Sequence, residues 1–392
     1  MNPLRHRTLI IAILTGALLA TACSSSKPLD SLDTTLAPVA RETTASTVDA
    51  IATTAVGAPV TTVDAVTPGP AGSVTLLAYD AFVEPAALQA FTAKTGISVT
   101  VARAGDTGTM VNKALLTKGN PEGDVLWGID NTLLSRALDE GLFEPYAATD
   151  LAAVDPRLTA LVPGREVTPV DTGDVCLNYD IAWFTERQLD PPTGFADLIT
   201  APYNDLLIVE NPATSSPGLA FLMATIAAYP NGEWESYWAN LQGNGVTIVD
   251  DWNTAYYSEF TAGGGGGTHP IVVSYASSPP ATIMFADDPK PTAPTIGTVE
   301  STCFRQVEFA GVLQGTKNQA AAHALIDFLI SAEFQAQLPE TNFVYPARAG
   351  VELPELFTKF AAPASAPATL PPDVIAAERD GWIEQWNLIV LD

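Results

Sequence analysis

The stretch SVTLLAYDAFVEPAALQAFTAKTGISVTVARAGD, Ser73–Asp106, decides the fold. Its opening run, SVTLLAYDAF, is apolar enough for a buried strand and ends in polar and aromatic residues. EPAALQAFTAKTG follows as a helix, with Pro85 near its start, Leu88 and Phe91 inward and Gly96 as its stop. ISVTVARAGD is then a second strand. A strand, a covering helix and another strand form one βαβ unit, and the pattern continues with GTMVNKALLTKG as helix, GDVLWGID as strand and NTLLSRALDEG as helix, capped by Asn131 and stopped by Gly141. This alternation predicts a parallel, doubly wound sheet. Ligands of such sheets sit beyond the carboxyl ends of the strands, which puts Tyr79, Asp80, Asp106, Thr107 and Asp130 at a site.

A second series starts after TGDVCLNYD. LLIVENP is a strand, PGLAFLMATIAAYP and GEWESYWANLQG are helices, GVTIVD is a strand, WNTAYYSEFTAG a helix and PIVVSY a closing strand. CFRQVEFAGVL has the look of an extended return, ahead of the amphipathic helix NQAAAHALIDFLISAEFQAQL and a last helix around PPDVIAAERDGWIEQWNLIV. Two α/β lobes joined by a double crossover are the simplest account: a first lobe from 73–172, a second from 173–303, and a return to the first with the C-terminal helices over 304–392.

Upstream of the first strand the chain has another character. Arg5 and Arg7 precede LIIAILTGALLATAC, which is short for a membrane span and ends in small residues, so residues 1–22 read as an export signal. ATAC followed by SSS is similar to a bacterial lipoprotein box with Cys23 as the lipidated residue, although Ala20 stands where that motif usually has Leu. An ordinary signal peptide leaving Cys23 unmodified is the alternative. From there to Gly72 the chain is rich in Thr, Ala, Val, Ser and Pro without helical period or aromatic residue, and reads as a disordered tether. The expected location is extracytoplasmic, anchored to the membrane through lipid. In an oxidising compartment the other two cysteines, Cys176 and Cys303, form a natural disulfide pair; a reactive thiol at one of them is the competing reading.

Composition narrows the partners. A formal charge of −26, from 18 Lys and Arg against 44 Asp and Glu, argues against nucleic acid and suits a cationic ligand. The three histidines, His6, His269 and His323, have no metal-ligand spacing, and no G-x-S-x-G elbow accompanies the serines of ENPATSSPGLAFL. The glycine run Gly263–Gly267 follows a helix rather than linking strand to helix, so it reads as a flexible surface loop and not a phosphate loop. Ser215 or Ser216 ahead of Pro217 suits a helix N-cap. Aromatic residues gather at segment ends: Tyr79, Trp252, Tyr256 and Tyr275. Each alone suits core packing, but with Asp80, Asp106 and Asp130 nearby they suggest a pocket for a flat, positively charged molecule.

The segments YDAF, GDVLWGIDNTLL, GLFEPY, NPATSSPGLAFL, the Trp and AYY of 252–257, VVSYASSP, RQVEFAGVL and TNFVYPA occur in the order of the motifs of thiamine-binding proteins of ABC importers, relatives of the iron(III)-type solute receptors, and the chain after the tether resembles that family almost throughout. The resemblance implies a type II periplasmic-binding-protein fold with thiamine or a thiamine phosphate held between hinged lobes and no other cofactor. It places Tyr79, Asp80, Trp252 and Tyr275 around the ligand's rings. Asp106 and Thr107, with Ser215 and Ser216 at a helix start, fall near its hydroxyethyl or phosphate end. Where relatives carry an aromatic after the Ser-Pro of the last motif this chain has Pro280 and Ala281, which leaves the cage open or filled from elsewhere, with Trp127 as a substitute. With no G-x-x-x-x-G-K-[ST] motif and no membrane helix after the signal, the chain is expected to be a monomeric receptor working with separately encoded permease and ATPase subunits, and not an enzyme. The alternatives are a thiaminase I-like enzyme of the same fold, which needs a free cysteine in the cleft, and an iron(III) or polyamine receptor; for iron, SYASSPP offers a single Tyr.

Overall fold

A computed structural model describes residues 72–391; the signal, the box at Cys23 and the tether lie outside them. Ten strands form one sheet: β1 Gly72–Ala78, β2 Ile97–Arg103, β3 Val125–Asp130, β4 Phe143–Glu144, β5 Thr168–Asp180, β6 Leu207–Glu210, β7 Thr247–Val249, β8 Ile271–Tyr275, β9 Ile296–Leu313 and β10 Tyr345–Pro346. The main order is β2-β1-β3-β9-β5-β8-β6-β7, with β4 on β9 and β10 on β5.

The expected winding is present at both ends. β1 pairs in parallel with β2 and β3, and β6 with β7 and β8. Successive side chains of the central strands enter opposite layers, as period 2 requires: Val74, Leu76, Ala78, Val125 and Trp127 join one core, while Leu77, Leu126 and Ile129 join the other. Helix Ala87–Thr95, stopped by Gly96 in the left-handed conformation, covers the first face.

The middle of the sheet is not parallel. β5 and β9 run antiparallel to each other and to their outer neighbours β8 and β3. Both are long because each belongs to both ends of the sheet, and together they make the double crossover between two α/β lobes. The register of this pair shifts once between Pro169 and Asp171 and again between Val175 and Leu177. Cys176 and Cys303 are joined in a disulfide within the same pair of strands. The last helix, Pro372–Val390, bridges the lobes: Trp386 meets Trp238 of helix Glu233–Gly243 edge to face at 5.4 Å, and Arg379 donates to Ser135.

Several local expectations give way to competing hydrogen bonds. Asn131 caps no helix; its side chain clamps β9, accepting from Val307 N–H and donating to the Arg305 carbonyl, and the helix begins later, at Leu134. The long amphipathic helix is broken at Ser331, whose hydroxyl accepts from Phe334 N–H and starts a new turn. WNTAYYSEFTAG forms a six-residue π-helical turn, Thr254–Glu259, in place of a regular helix. The glycine run is no free loop. It lies back on that turn, where a Cβ on Gly263, Gly265 or Gly267 would come within 1.8, 2.2 and 2.1 Å of the carbonyl oxygens of Tyr256, Tyr257 and Glu259.

Candidate functional site

The strand ends of the two lobes face each other across a cleft of about 630 Å³. Tyr79 follows β1, and its ring presses on Gly128 of β3, where an added Cβ would stand 2.4 Å from the ring and φ is +108°. Only glycine leaves Tyr79 in place. On the other side the π-helical turn brings Tyr256 and Tyr257 onto Trp252: Trp252 stacks on Tyr256 at 4.8 Å and 19°, meets Tyr257 edge-on at 5.4 Å, and stands 6.4 Å from Tyr275 at the end of β8. Trp252 is fixed by its indole N–H, which donates to Ser274 at 3.1 Å. π-Turns often appear at functional sites because the extra residue re-aims side chains.

Asp106 stands at the N-cap of helix Thr107–Leu116. One oxygen accepts from Thr107 N–H at 2.6 Å and the other from Trp252 N–H, across the cleft, at 3.0 Å. A second cross-cleft bond runs from Thr109 N–H to the Thr214 carbonyl. The lobes are therefore in contact over the site. Burial pushes the Asp106 carboxyl up to about 6, against the pull of the Trp252 and Thr107 N–H groups.

Below the rings lies a set of buried acids with too few donors. Glu308 of β9 is 5% exposed, lines the cleft and has an Oε2 without partner. Register places it opposite Asp130 of β3 and Asp171 of β5. Burial raises its pKa well above the carboxylate range, and Asp171, Asp130 and Asp106 raise it further. Burial and then Glu308 likewise lift the phenols of Tyr79 and Tyr275. Glu210, at the end of β6, is fully buried with both carboxyl oxygens unpartnered, and its pKa is raised by burial and by Asp106 and Asp251. The described residues lining the cleft include Asp80, Asp106, Asp251, Glu308 and Glu340 but no Lys, Arg or His. A cation in the cleft would relieve this repulsion.

Of the residues singled out from sequence, Tyr79, Asp80, Asp106, Thr107, Trp252, Tyr256 and Tyr275 line the cleft. Asp130, Ser215 and Ser216 do not. Asp130 is fully buried, accepting from the Thr132 N–H and hydroxyl, from the Ser216 hydroxyl and from the Gln306 amide. Ser216, 1% exposed, is thereby committed to the protein interior. Ser215 occupies the N-cap of helix Ser216–Ala228 by backbone geometry, but its hydroxyl makes no capping bond. That hydroxyl is buried with no partner within hydrogen-bond geometry, although it lies beside Asp106 and helps lower that carboxyl's pKa. Pro217 is the part of the helix start that reaches the cleft.

Trp127 does not fill the open side of the cage. It is fully buried, donates its indole N–H to Asp171 at 3.0 Å and packs on Phe82 and Phe334. The rings at the mouth are Phe285 and Phe343, edge to face at 5.8 Å. Phe343 has φ +55°, and its carbonyl accepts from the Ser277 hydroxyl. Sequence reasoning passed over both, together with Glu308 and Asp251. For Glu308 a signal existed, a lone acid in the apolar run of RQVEFAGVL, and for Phe343 its place in TNFVYPA behind the polar Glu340, Thr341 and Asn342; Phe285 had none, since it ends the ordinary apolar run ATIMF.

Residues 120–369 match the family model described as bacterial extracellular solute-binding protein. The chain is similar to the thiamine-binding periplasmic protein of Escherichia coli K12, 28% identical over 322 residues, spanning 81% of this chain and 93% of that one. A solved periplasmic thiamin binding protein superposes with a TM-score of 0.70 at 26% identity, covering 81% of this chain and 96% of its own. The ferric binding protein from Campylobacter jejuni shares the fold, with a TM-score of 0.62 at 18% identity and coverage of 81% and 99%. These likenesses agree with two crossed-over α/β lobes, the type II periplasmic-binding-protein architecture. The chain belongs to the bacterial extracellular solute-binding protein family.

Proposed function

We propose that this chain is an extracytoplasmic receptor for thiamine. In this reading lobe 73–172 with 304–392 and lobe 173–303 close on the ligand, and the protein acts as a monomer, tethered through a lipidated Cys23, that delivers thiamine to an ABC permease and its ATPase. The observation that carries the proposal is Glu308: a buried, underpartnered acid at the floor of a cleft walled by Tyr79, Trp252, Tyr256 and Tyr275. A flat aromatic cation fits that combination, since ring faces attract it with up to about 2 kcal/mol per desolvated contact and the acid supplies a counter-charge. The similarity to thiamine-binding relatives points the same way.

The alternatives draw less support. An iron(III) site needs deprotonated tyrosines, and burial and then Glu308 raise the pKa of Tyr79 and Tyr275, which opposes that deprotonation. A thiaminase-like reaction needs a free thiol, and both cysteines among the described residues are oxidised to a disulfide. Mass spectrometry of the small molecule released by denaturing the purified protein tests the proposal. Thiamine is the expected species; a polyamine or a stoichiometric metal would contradict it.

A further inference from the structure

A glycine in the first turn of helix Thr107–Leu116 has no local reason to lack a side chain. Gly108 is the second residue of that helix, its φ lies outside the left-handed region, and Ala is the better helix former at such a position. The reason lies across the cleft. A Cβ on Gly108 would stand 2.6 Å from the carbonyl oxygen of Thr214, 2.8 Å from its carbonyl carbon and 3.2 Å from its Cα. Gly108 is buried and belongs to the lobe of 73–172, Thr214 to the lobe of 173–303, so backbone meets backbone at the seam between them. We infer that Gly108 sets how far the lobes can close, as a positioning residue outside the cleft lining, an inference that rests on the thiamine reading above.

The Thr214 backbone is poorly placed to yield, because its loop, between β6 and helix Ser216–Ala228, is tied down within its own lobe. The Thr214 hydroxyl donates to the Asp250 carbonyl at 2.6 Å, and the Thr214 and Ser215 N–H groups donate to the Asn211 carbonyl at 3.2 and 2.9 Å. The Asn211 N–H in turn donates to the Val249 carbonyl at 2.7 Å. Asp250 leads directly into Asp251 and Trp252, which couples the Thr214 loop to the aromatic wall. On the other side of the seam, Asp106 and Thr109 flank Gly108 and make the two cross-lobe bonds: Asp106 accepts from the Trp252 N–H at 3.0 Å, and the Thr109 N–H donates to the Thr214 carbonyl at 3.2 Å. A methyl group at 108 would need roughly 1 Å more room to reach ordinary van der Waals contact with Thr214. Making that room would stretch both bonds.

Gly108→Ala in the full chain, unfolded and refolded to strip bound ligand, tests this by titration calorimetry, small-angle scattering and thermal unfolding. The variant should bind thiamine at least about tenfold more weakly than the parent, the loss expected from two weakened cross-lobe hydrogen bonds. Its radius of gyration should contract less than the parent's at saturating thiamine. Without ligand it should melt no lower than the parent, since Ala favours the helix and the clash arises only where the lobes meet. That last measurement separates a limit on closure from a packing defect. Affinity within about threefold of the parent together with full contraction would overturn this inference alone. So would a ligand-free variant that melts several degrees lower, or a parent that binds thiamine without contracting. Failure of thiamine to bind the parent would overturn the receptor reading and this inference with it.

Discussion

The Asp106 carboxylate joins the two lobes: at the cap of a helix in one lobe, it accepts the backbone N–H of Trp252 from the other at 3.0 Å. The bond spans the cleft, and it holds the backbone of the residue whose ring stacks on Tyr256. In the proposed receptor, hinge closure would make this contact and complete the aromatic wall together. Removing the acceptor with Asp106→Ala should weaken thiamine binding by about tenfold to a hundredfold and raise the radius of gyration of the liganded protein toward that of the open form. Small-angle scattering with and without thiamine reads both states.

Asp106 also makes binding depend on pH. Its folded pKa of about 6 lies above its usual 3.8, so it favours the folded apo protein most below pH 4 and withdraws that contribution as pH climbs through 6. The withdrawal is at most about 3 kcal/mol, less what water in the cleft screens. A bound cation favours the ionised acid, so thiamine binding should release protons and tighten from pH 5 to pH 7. Calorimetry in buffers of different ionisation enthalpy measures the release, and it should shrink in Asp106→Asn.

Glu308→Gln keeps the shape and removes the charge. Since Asp171, Asp130 and Asp106 all disfavour an ionised Glu308, the variant should be as stable as the parent or more so, by about 1 kcal/mol, in chemical denaturation. Its affinity for thiamine should nevertheless drop about tenfold or more. Opposite signs in the two measurements separate a binding role from a packing one.

Gly128→Ala should act at a distance on the same site. The new Cβ would meet the Tyr79 ring at 2.4 Å with φ at +108°, costing about 1–3 kcal/mol in stability and displacing Tyr79 from the wall. Thermal unfolding should show the first effect, and weaker quenching of cleft tryptophan fluorescence by thiamine the second.

The disulfide carries stability rather than chemistry. Cys176 and Cys303 are separated by 127 positions, and closing a loop of that size is worth about 5 kcal/mol in the chain-entropy model. Replacing both with Ser should lower the melting temperature and leave thiamine affinity within about threefold of the parent, because neither cysteine is among the residues lining the cleft.

Much of the architecture was legible because it rests on local patterns. β1, its covering helix and β2 each show their period in the sequence, and the resulting strand ends name Tyr79, Asp106 and Tyr275 without any coordinates. What escaped depends on pairing across the chain. Strand order cannot be read from a run of apolar residues, so neither the antiparallel centre of the sheet nor the meeting of Glu308 with Asp130 and Asp171 was visible. Ser216 looked like a ligand contact because nothing local showed that Asp130 would claim its hydroxyl from a strand 86 positions earlier. The glycine run looked loose because its role is to let backbone lie on backbone, which leaves no side-chain pattern.

The most direct test of the central claim is calorimetric titration of thiamine into full-length protein that has been unfolded, freed of ligand and refolded. One saturable site per chain with micromolar or tighter affinity is the predicted result, matching the acidic, aromatic cleft that Glu308, Tyr79 and Trp252 build. No saturable heat from a protein shown by circular dichroism to have refolded would contradict it.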